Sequence, residues 1–435
     1  MSTTARSKFR RLALSALTLA TLATVSQAAT PTQTWCADRC DQIVIEWNLQ
    51  THQVVKAVEG YQNPMSASRV LAMVHLAMHD AVNAAQRRYR AYAYVPTADA
   101  KTTDADAAVA AAVAAHDVLA ALYPTQKELL RATLDATLLD AGIGAAVERG
   151  KAFGAAAAAA MLARRADDGS AADEAYRPGT RPGDYQFTPG FDFLAAPHWR
   201  AVTPFTLRTP DQFRVGPPPA LGSSRYAADF DEVKASGSKG AAARRSTEQT
   251  QYAAYWYEFS DIGWNRIARA VARDRPQDLW QRARTFALLN AVMADAYIAG
   301  WDAKMHYDLW RPVTAIRQAA DDGNPATVAD AAWTPLLTTP PVQDYPSTHS
   351  ALGSAAAVAL AHAFGSDAVA FTMASPTALP DAPARRFASF SAAAKENADS
   401  RVRAGLHFRF ATTAGLQLGE QIGRQAVGTL LGPAR

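Results

Sequence analysis

The sequence predicts an all-α protein. Apolar residues recur at helical spacing through most of the chain, alanine-rich stretches supply the strongest helix former, and hardly any stretch alternates apolar with polar residues as a half-buried strand would. With 435 residues, 49% of them hydrophobic and 19% charged, the chain can bury a large core, which excludes the disordered class.

The first residues have a separate logic. Arg6, Lys8, Arg10 and Arg11 precede an uncharged run from Leu12 to Val25, and Ser26-Gln27-Ala28 supplies small residues at a cleavage position. Residues 1–28 are therefore expected to be a secretory signal peptide. The run of 14 residues falls short of the roughly 20 needed to span a bilayer, so the mature chain is expected to be exported without a stable membrane anchor. Removing this segment leaves forty basic against forty acidic side chains, and so near-zero charge gives no basic field for nucleic acid. The only cysteines, Cys36 and Cys40, follow directly; in an oxidising compartment a local disulfide is expected.

Between 66 and 91, Val70, Leu71, Val74, Met78 and Val82 mark a core helix with Ser66 as its expected cap. Alanine-rich segments at 105–122 and 143–164, separated by Tyr123-Pro124, predict closely packed helices. From 165 to 240 the prolines at 178, 182, 189, 204, 210 and 217–219 argue against long regular elements, and an irregular connection wrapped over the helices is expected. Helical periodicity resumes near 246 and continues through 262–273, 277 to about 308, 347–364, 385–402 and 409–430. The expected organisation is an N-terminal helical region with its irregular connection at 29–245, then a helical catalytic domain at 246–435.

Three segments combine cations, hydroxyls and imidazoles in ways that a core does not require. In Lys304-Met-His-Tyr-Asp-Leu-Trp-Arg311-Pro312, a spacing of seven predicts two cations on one helix face, two turns apart. In Tyr345-Pro346-Ser347-Thr348-His349, Pro346 sets up a helix start whose free N–H groups and Ser347 hydroxyl suit anion oxygens, with His349 alongside. In Ser400-Arg401-Val-Arg-Ala-Gly-Leu-His407, a guanidinium precedes an imidazole by six. Each alone has an ordinary reading, a solvated helix face or a simple cap. Together they describe an oxyanion cradle with an available nitrogen.

Lys-x6-Arg-Pro, Pro-Ser-x-His and Ser-Arg-x5-His, in this order, resemble the signature shared by vanadium-dependent haloperoxidases, bacterial acid phosphatases and type 2 phosphatidic acid phosphatases. The resemblance implies an all-α bundle of the vanadium haloperoxidase and acid phosphatase type. It implies that Lys304, Arg311, Ser347, Arg401 and the backbone N–H of Thr348 hold vanadate or phosphate oxygens, that His407 bonds vanadium or attacks phosphorus, and that His349 is the acid/base. Vanadate would be the cofactor of a haloperoxidase oxidising halide with hydrogen peroxide. The alternative is an acid phosphatase, without cofactor, that hydrolyses phosphate esters through a phosphohistidine on the same site. A protein that binds the anion without turnover is a third reading.

This chain departs from the family pattern at three points, Thr348, Ala411 and Val342, the last standing five residues before Ser347 where well-known haloperoxidases have an aromatic or His. Thr348 replaces the usual glycine, keeping the donor but adding a side chain. Ala411 stands four residues after His407, where the signature has an aspartate that would orient the imidazole, and its absence favours the haloperoxidase reading over the phosphatase. Trp301 and the Leu309-Trp310-Arg311-Pro312 run resemble the haloperoxidases more than the small acid phosphatases; Trp301 and Val342 are candidate pocket residues. His75, His79 and Asp80 share a helical turn but lack a third ligand, so core roles are expected. Trp256 and Trp264 are expected in the core, and His306 off the cation-bearing side of its helix.

Overall fold

Helices dominate the structure, a computed structural model that describes residues 40–97, 104–240 and 243–434. In chain order they are α1 (Gln42–Glu59), α2 (Pro64–Ala85), α3 (Ala107–Leu122), α4 (Lys127–Ala141), α5 (Ala145–Arg164), α6 (Ser224–Ser236), α7 (Thr247–Tyr255), α8 (Ser260–Asp274), α9 (Leu279–Tyr307), α10 (Pro312–Arg317) and α11 (Thr348–Ala363). A hairpin, β1 (Phe371–Ala374) and β2 (Ala384–Phe387), precedes α12 (Phe390–Arg403) and α13 (Arg409–Thr429). The expected signal segment and Cys36 lie outside the described residues; Cys40 is disulfide-bonded. Among the described residues, no helix is long and apolar enough to cross a membrane.

The expected all-α class stands, with local corrections. The helix expected at 66–91 begins at Pro64, because Asn63 rather than Ser66 is the cap and accepts from the Ser66 N–H at 3.1 Å. Helices α1 and α4 arise where no helix was expected. Within the irregular connection, after its last proline at 219, Ser223 caps the 13-residue α6 by accepting from the Tyr226 N–H. The expected helix at 385–402 loses its first turn to β2. Pro376, Pro380 and Pro383 reverse the chain there, Phe371 pairs with Phe387 across the hairpin, and Ser389 caps a later start for α12.

Small residues set how closely these helices approach. On α13, Gly415, Gly419 and Gly423 recur every four residues and lie against α11. A methyl at Gly419 would fall 2.0 Å from the Ala351 carbonyl oxygen, and one at Gly415 would fall 2.3 Å from that of Ser347. Gly150 and Gly154 of α5 approach the Asp106 and Ala110 carbonyls of the α3 segment just as closely. Helix α2 packs on α3, α5 and α9, and α9 packs in turn on α11, so the main apolar cluster runs from Ile43 to Leu431.

Buried carboxylates tie the irregular connection down. Asp295 of α9 accepts from the backbone N–H groups of Phe205, Thr206 and Leu207, and Asp168 pairs with Arg69 and Arg165, each at 2.7 Å. The connection then passes the segments that follow α9: Tyr185 N–H donates to the Asp308 carbonyl, Trp310 N–H to that of Gly183, and the Tyr345 hydroxyl to that of Gly216. The polar trio on α2 is structural, as expected. Asp80 accepts from the backbone at Tyr92, Ala93 and Tyr94, and the fully buried His75 accepts at Nε2 from Asn48 Nδ2 at 2.8 Å. Trp256 and Trp264 are core residues, stacked at 6.1 Å.

Two outcomes follow from this packing. Gly419→Ala should destabilise the protein by about 2 kcal/mol or more, because the backbone of α11 cannot yield as a side chain would, and this strain outweighs the roughly 1 kcal/mol of helix propensity gained. Urea denaturation checks it; a neutral or stabilising effect would show that α11 and α13 are not in such tight contact. Burial, reinforced by Arg269, pushes His75 down to about 3. Below the ordinary value near 6.5 the unfolded chain binds a proton that folded His75 refuses, so His75 makes folding less favourable as pH falls from 6.5 towards 3. His75→Gln keeps an acceptor for Asn48 and removes this linkage. The stability gap between wild type and variant should change in the variant's favour by about 2 kcal/mol between pH 7 and 4.5, and a gap independent of pH would contradict a neutral buried His75.

Candidate functional site

Four short stretches meet at one place, each positioned by a helix end. Helix α9 stops where Asp308 adopts a left-handed conformation (φ 46°), its N–H donating to the Lys304 carbonyl while its carboxylate accepts from Tyr176 Oη at 2.7 Å and Gln343 Nε2 at 3.0 Å. Lys304 thus lies in the last turn of α9, whereas Arg311 is the N-cap of α10. The expectation that a spacing of seven sets both cations on one helix face is corrected: the helix ends between them, and the chain reversal at Asp308 carries Arg311 back. Ser347 caps α11, accepting from the Ser350 N–H at 3.4 Å, so Thr348 opens the helix with an N–H that has no acceptor within it. Arg401 belongs to the last turn of α12, and His407 to the loop before α13.

The cations are deeply buried: Lys304 is 0% exposed, Arg311 1% and Arg401 2%. Lys304 Nζ donates to the carbonyls of Gln343 and Asp344. Arg311 donates through Nε to Val342 O at 2.6 Å, and through one terminal nitrogen to Leu406 O at 2.7 Å and His407 Nε2 at 2.9 Å. Arg401 makes one long contact, 3.4 Å to Trp256 O, and its buried Nε has no partner. His349 donates from Nε2 to the Glu258 carbonyl at 3.1 Å; a carbonyl can only accept, so Nδ1 is the nitrogen free to take a proton.

Asp344, which the sequence reading missed, completes the set. It is fully buried, its Oδ1 lies 2.9 Å from His407 Nδ1 and 3.9 Å from the Arg311 guanidinium, and burial pushes its carboxyl up to about 7 against the pull of Arg311 and Lys304. The signal available was an acidic residue three positions before Ser347 in an otherwise uncharged run, 331–343 having only small, apolar and amide side chains after Asp330. Reading the signature linearly directed attention to position 411 instead. Ala411 is buried, and its carbonyl accepts from the Ser347 N–H at 2.9 Å.

Three cations facing one carboxylate leave excess positive charge in a low-dielectric interior. Burial, then Arg311, holds Lys304 well below its usual range, and burial brings Arg401 down to about 9, still a cation at neutral pH. Both imidazoles are held well below theirs, His349 by burial and Arg401, His407 by burial and Arg311. An oxyanion reverses each of these effects, and the unpartnered Arg401 Nε together with the free Thr348 N–H are donors of the kind it needs.

Thr348 fits here because of its neighbour. A methyl at Gly300 of α9 would fall 2.3 Å from Thr348 Cγ2, so the side chain that replaces the signature glycine occupies room left by a glycine on the facing helix. Trp301 is buried against Tyr297 and donates to Ala195 O at 3.0 Å; Val342 is buried, and its carbonyl serves Arg311. His306 is exposed.

Comparison with known proteins agrees with this architecture. Residues 40–192 match the vanadium chloroperoxidase N-terminal domain, and residues 284–432 match the second helical-bundle domain of the same enzymes. Vanadium chloroperoxidase of Curvularia inaequalis is 28% identical over 405 residues, which cover 72% of this chain and 63% of that protein, so the chain spans less than two thirds of that relative's length. The crystal structure of a bacterial vanadium-dependent iodoperoxidase superposes with a TM-score of 0.77 at 28% identity, covering 90% of this chain and 96% of that one. A bacterial vanadium-dependent chloroperoxidase, in its apo form, shares the fold at a TM-score of 0.69 and 19% identity, over 84% of this chain and 94% of that one. Two family domains matched in order over a shared helical architecture mean that this chain belongs to the vanadium-dependent haloperoxidase family.

Proposed function

We propose that this chain is a vanadate-dependent haloperoxidase that uses hydrogen peroxide to oxidise halide. The observation that carries the proposal is the convergence of Lys304, Arg311 and Arg401, all buried, on an imidazole whose Nε2 lone pair is accessible to a hydrogen-bond donor. In this reading Lys304, Arg311 and Arg401 would neutralise the oxygens of a bound vanadate, Ser347 Oγ and the Thr348 N–H would donate to them, and His407 would offer Nε2 as the nitrogen ligand. Bound vanadate supplies a Lewis-acidic centre that activates hydrogen peroxide towards halide. His349, its Nε2 held by the Glu258 carbonyl, takes and returns the peroxide proton at Nδ1. The names of the relatives supply the reaction class, chloride oxidation in one and iodide in another, and do not select a halide for this chain.

Position 411 does not separate haloperoxidase from phosphatase. A carboxylate stands near His407 all the same, so the residue at 411 gives no ground for choosing between them, and the preference for haloperoxidase rests on the relatives. Export is part of the proposal, supported by the basic, apolar and small-residue pattern of residues 1–28. The deciding assay measures halide oxidation by the purified chain with and without orthovanadate, beside phosphate-ester hydrolysis in its absence. Hydrolysis without vanadate-dependent oxidation overturns the proposal.

Two substitutions test the roles. Arg401→Ala should weaken orthovanadate binding about a hundredfold, the scale of losing a buried charged partner; calorimetry showing unchanged affinity would remove Arg401 from the cradle. His349→Ala should leave that affinity within a few-fold while turnover falls by about 10² to 10⁴. An undiminished rate would exclude His349 from proton transfer.

A further inference from the structure

The ring of His407 is held between a guanidinium, which can only donate to it, and a carboxyl group. At one edge Arg311 places a guanidinium nitrogen 2.9 Å from Nε2. Arginine has donors only, so Nε2 must be the accepting nitrogen and the neutral ring carries its hydrogen on Nδ1. At the other edge Asp344 Oδ1 lies 2.9 Å from Nδ1, close enough to favour that hydrogen, although the approach is off the line of a straight hydrogen bond. We propose that Asp344 is the positioning residue for His407, a carboxylate delivered from the loop before α11 that keeps the Nε2 lone pair turned towards the anion.

The placement of Asp344 supports this role. Its own backbone is fixed at both ends, the N–H donating to Leu309 O at 3.0 Å and the carbonyl accepting from Lys304 Nζ, so the carboxylate hangs from a segment that two other site stretches hold. Its oxygens are fully buried, and among the described residues the Phe408 backbone N–H is the other donor near them. Such a buried carboxylate is held by what it faces, here His407, the Phe408 N–H and, at 3.9 Å, Arg311. The position where the family signature carries its carboxylate holds Ala411, packed among Tyr345, Phe408 and Phe410 in an apolar cluster. A carboxylate beside this imidazole is thus kept, from a different element.

The inference rests on the proposed role of His407 as the nitrogen ligand of the anion, and the experiment separates the two. Full-length protein carrying 15N-histidine, free of vanadate, is examined by NMR, with the His407 signals assigned from their loss in His407→Gln. The expected result is one tautomer, protonated at Nδ1. In Asp344→Asn, whose amide can donate to Nδ1, that tautomer should give way to a mixture or to its opposite, and orthovanadate affinity should fall tenfold to a hundredfold, the range seen when a residue orienting a metal ligand is removed. Asp344→Glu, which keeps the carboxylate, should recover most of the affinity if the loop accommodates the longer arm, and the wild-type spectrum remains decisive if either variant fails to fold. A wild-type His407 protonated at Nε2, or an Asn variant with the wild-type spectrum and affinity, overturns the role of Asp344. Wild type that shows the Nδ1 tautomer but binds no vanadate counts against the proposed function and leaves the positioning role standing.

Discussion

Excess positive charge buried in an apolar helical core is the constraint on which this structure depends. Lys304, Arg311 and Arg401 are each removed from water, and Asp344 is the one carboxylate among them. Backbone carbonyls take up much of the remaining demand: Gln343, Asp344, Val342 and Leu406 all accept from the first two cations. Arg401 is the least satisfied, with one long hydrogen bond and a free Nε. A cluster of this kind is unfavourable by itself and favourable around an anion, which makes it a binding device more than a stabilising one. Burial first, and the neighbouring cations after it, depress the basicity of Lys304 and both imidazoles.

Holding such a cluster requires a rigid surround, and close helix contact provides it. The glycine stripe on α13 brings its backbone onto α11 at the turn that begins with Ser347, and the Ser347 N–H is taken by the Ala411 carbonyl. Helix α9 meets the same turn through Gly300 and Thr348. The start of α11 is therefore gripped from two sides by elements whose backbones cannot retreat, leaving its terminal N–H groups fixed in direction. The irregular connection adds a third support. It is tethered by Asp295 and Asp168, and it hydrogen-bonds to the chain reversal that returns Arg311 to Lys304.

His407 shows how a function can survive the loss of the residue that usually serves it. A ring nitrogen needs a neighbour that fixes its tautomer, and the requirement is on distance and charge, not on chain position. The loop before Ser347 already runs beside His407, since Arg311 bonds both Val342 in that loop and the imidazole itself. An aspartate there comes within 2.9 Å of Nδ1. For the same reason, the side chain at Thr348 is accommodated: what glycine would leave open on α11 is left open on α9 instead.

Much of this was legible in the sequence, because it is local. Helical periodicity marked α2, α3, α5, α9, α11 and α13, since a 3.6-residue repeat of apolar side chains is a property of adjacent positions. The residue types of the cradle were equally legible: Lys304, Arg311, Ser347, His349, Arg401 and His407 fall in compact motifs, each with a chemistry of its own. What the sequence could not give was anything that depends on two distant segments meeting. The left-handed turn at Asp308 put Arg311 on a different helix from Lys304, the hairpin took the first turn expected for α12, and Ser223 capped a helix just past the prolines. Above all, the partner of His407 came from 63 positions earlier rather than four later. The sequence determined which groups are available and which helices carry them, because those choices are made over a few bonds. Tertiary structure decided which carboxylate faces which imidazole, because contact in a packed core follows from how backbones approach, and that was set by glycines on facing helices far apart in the chain.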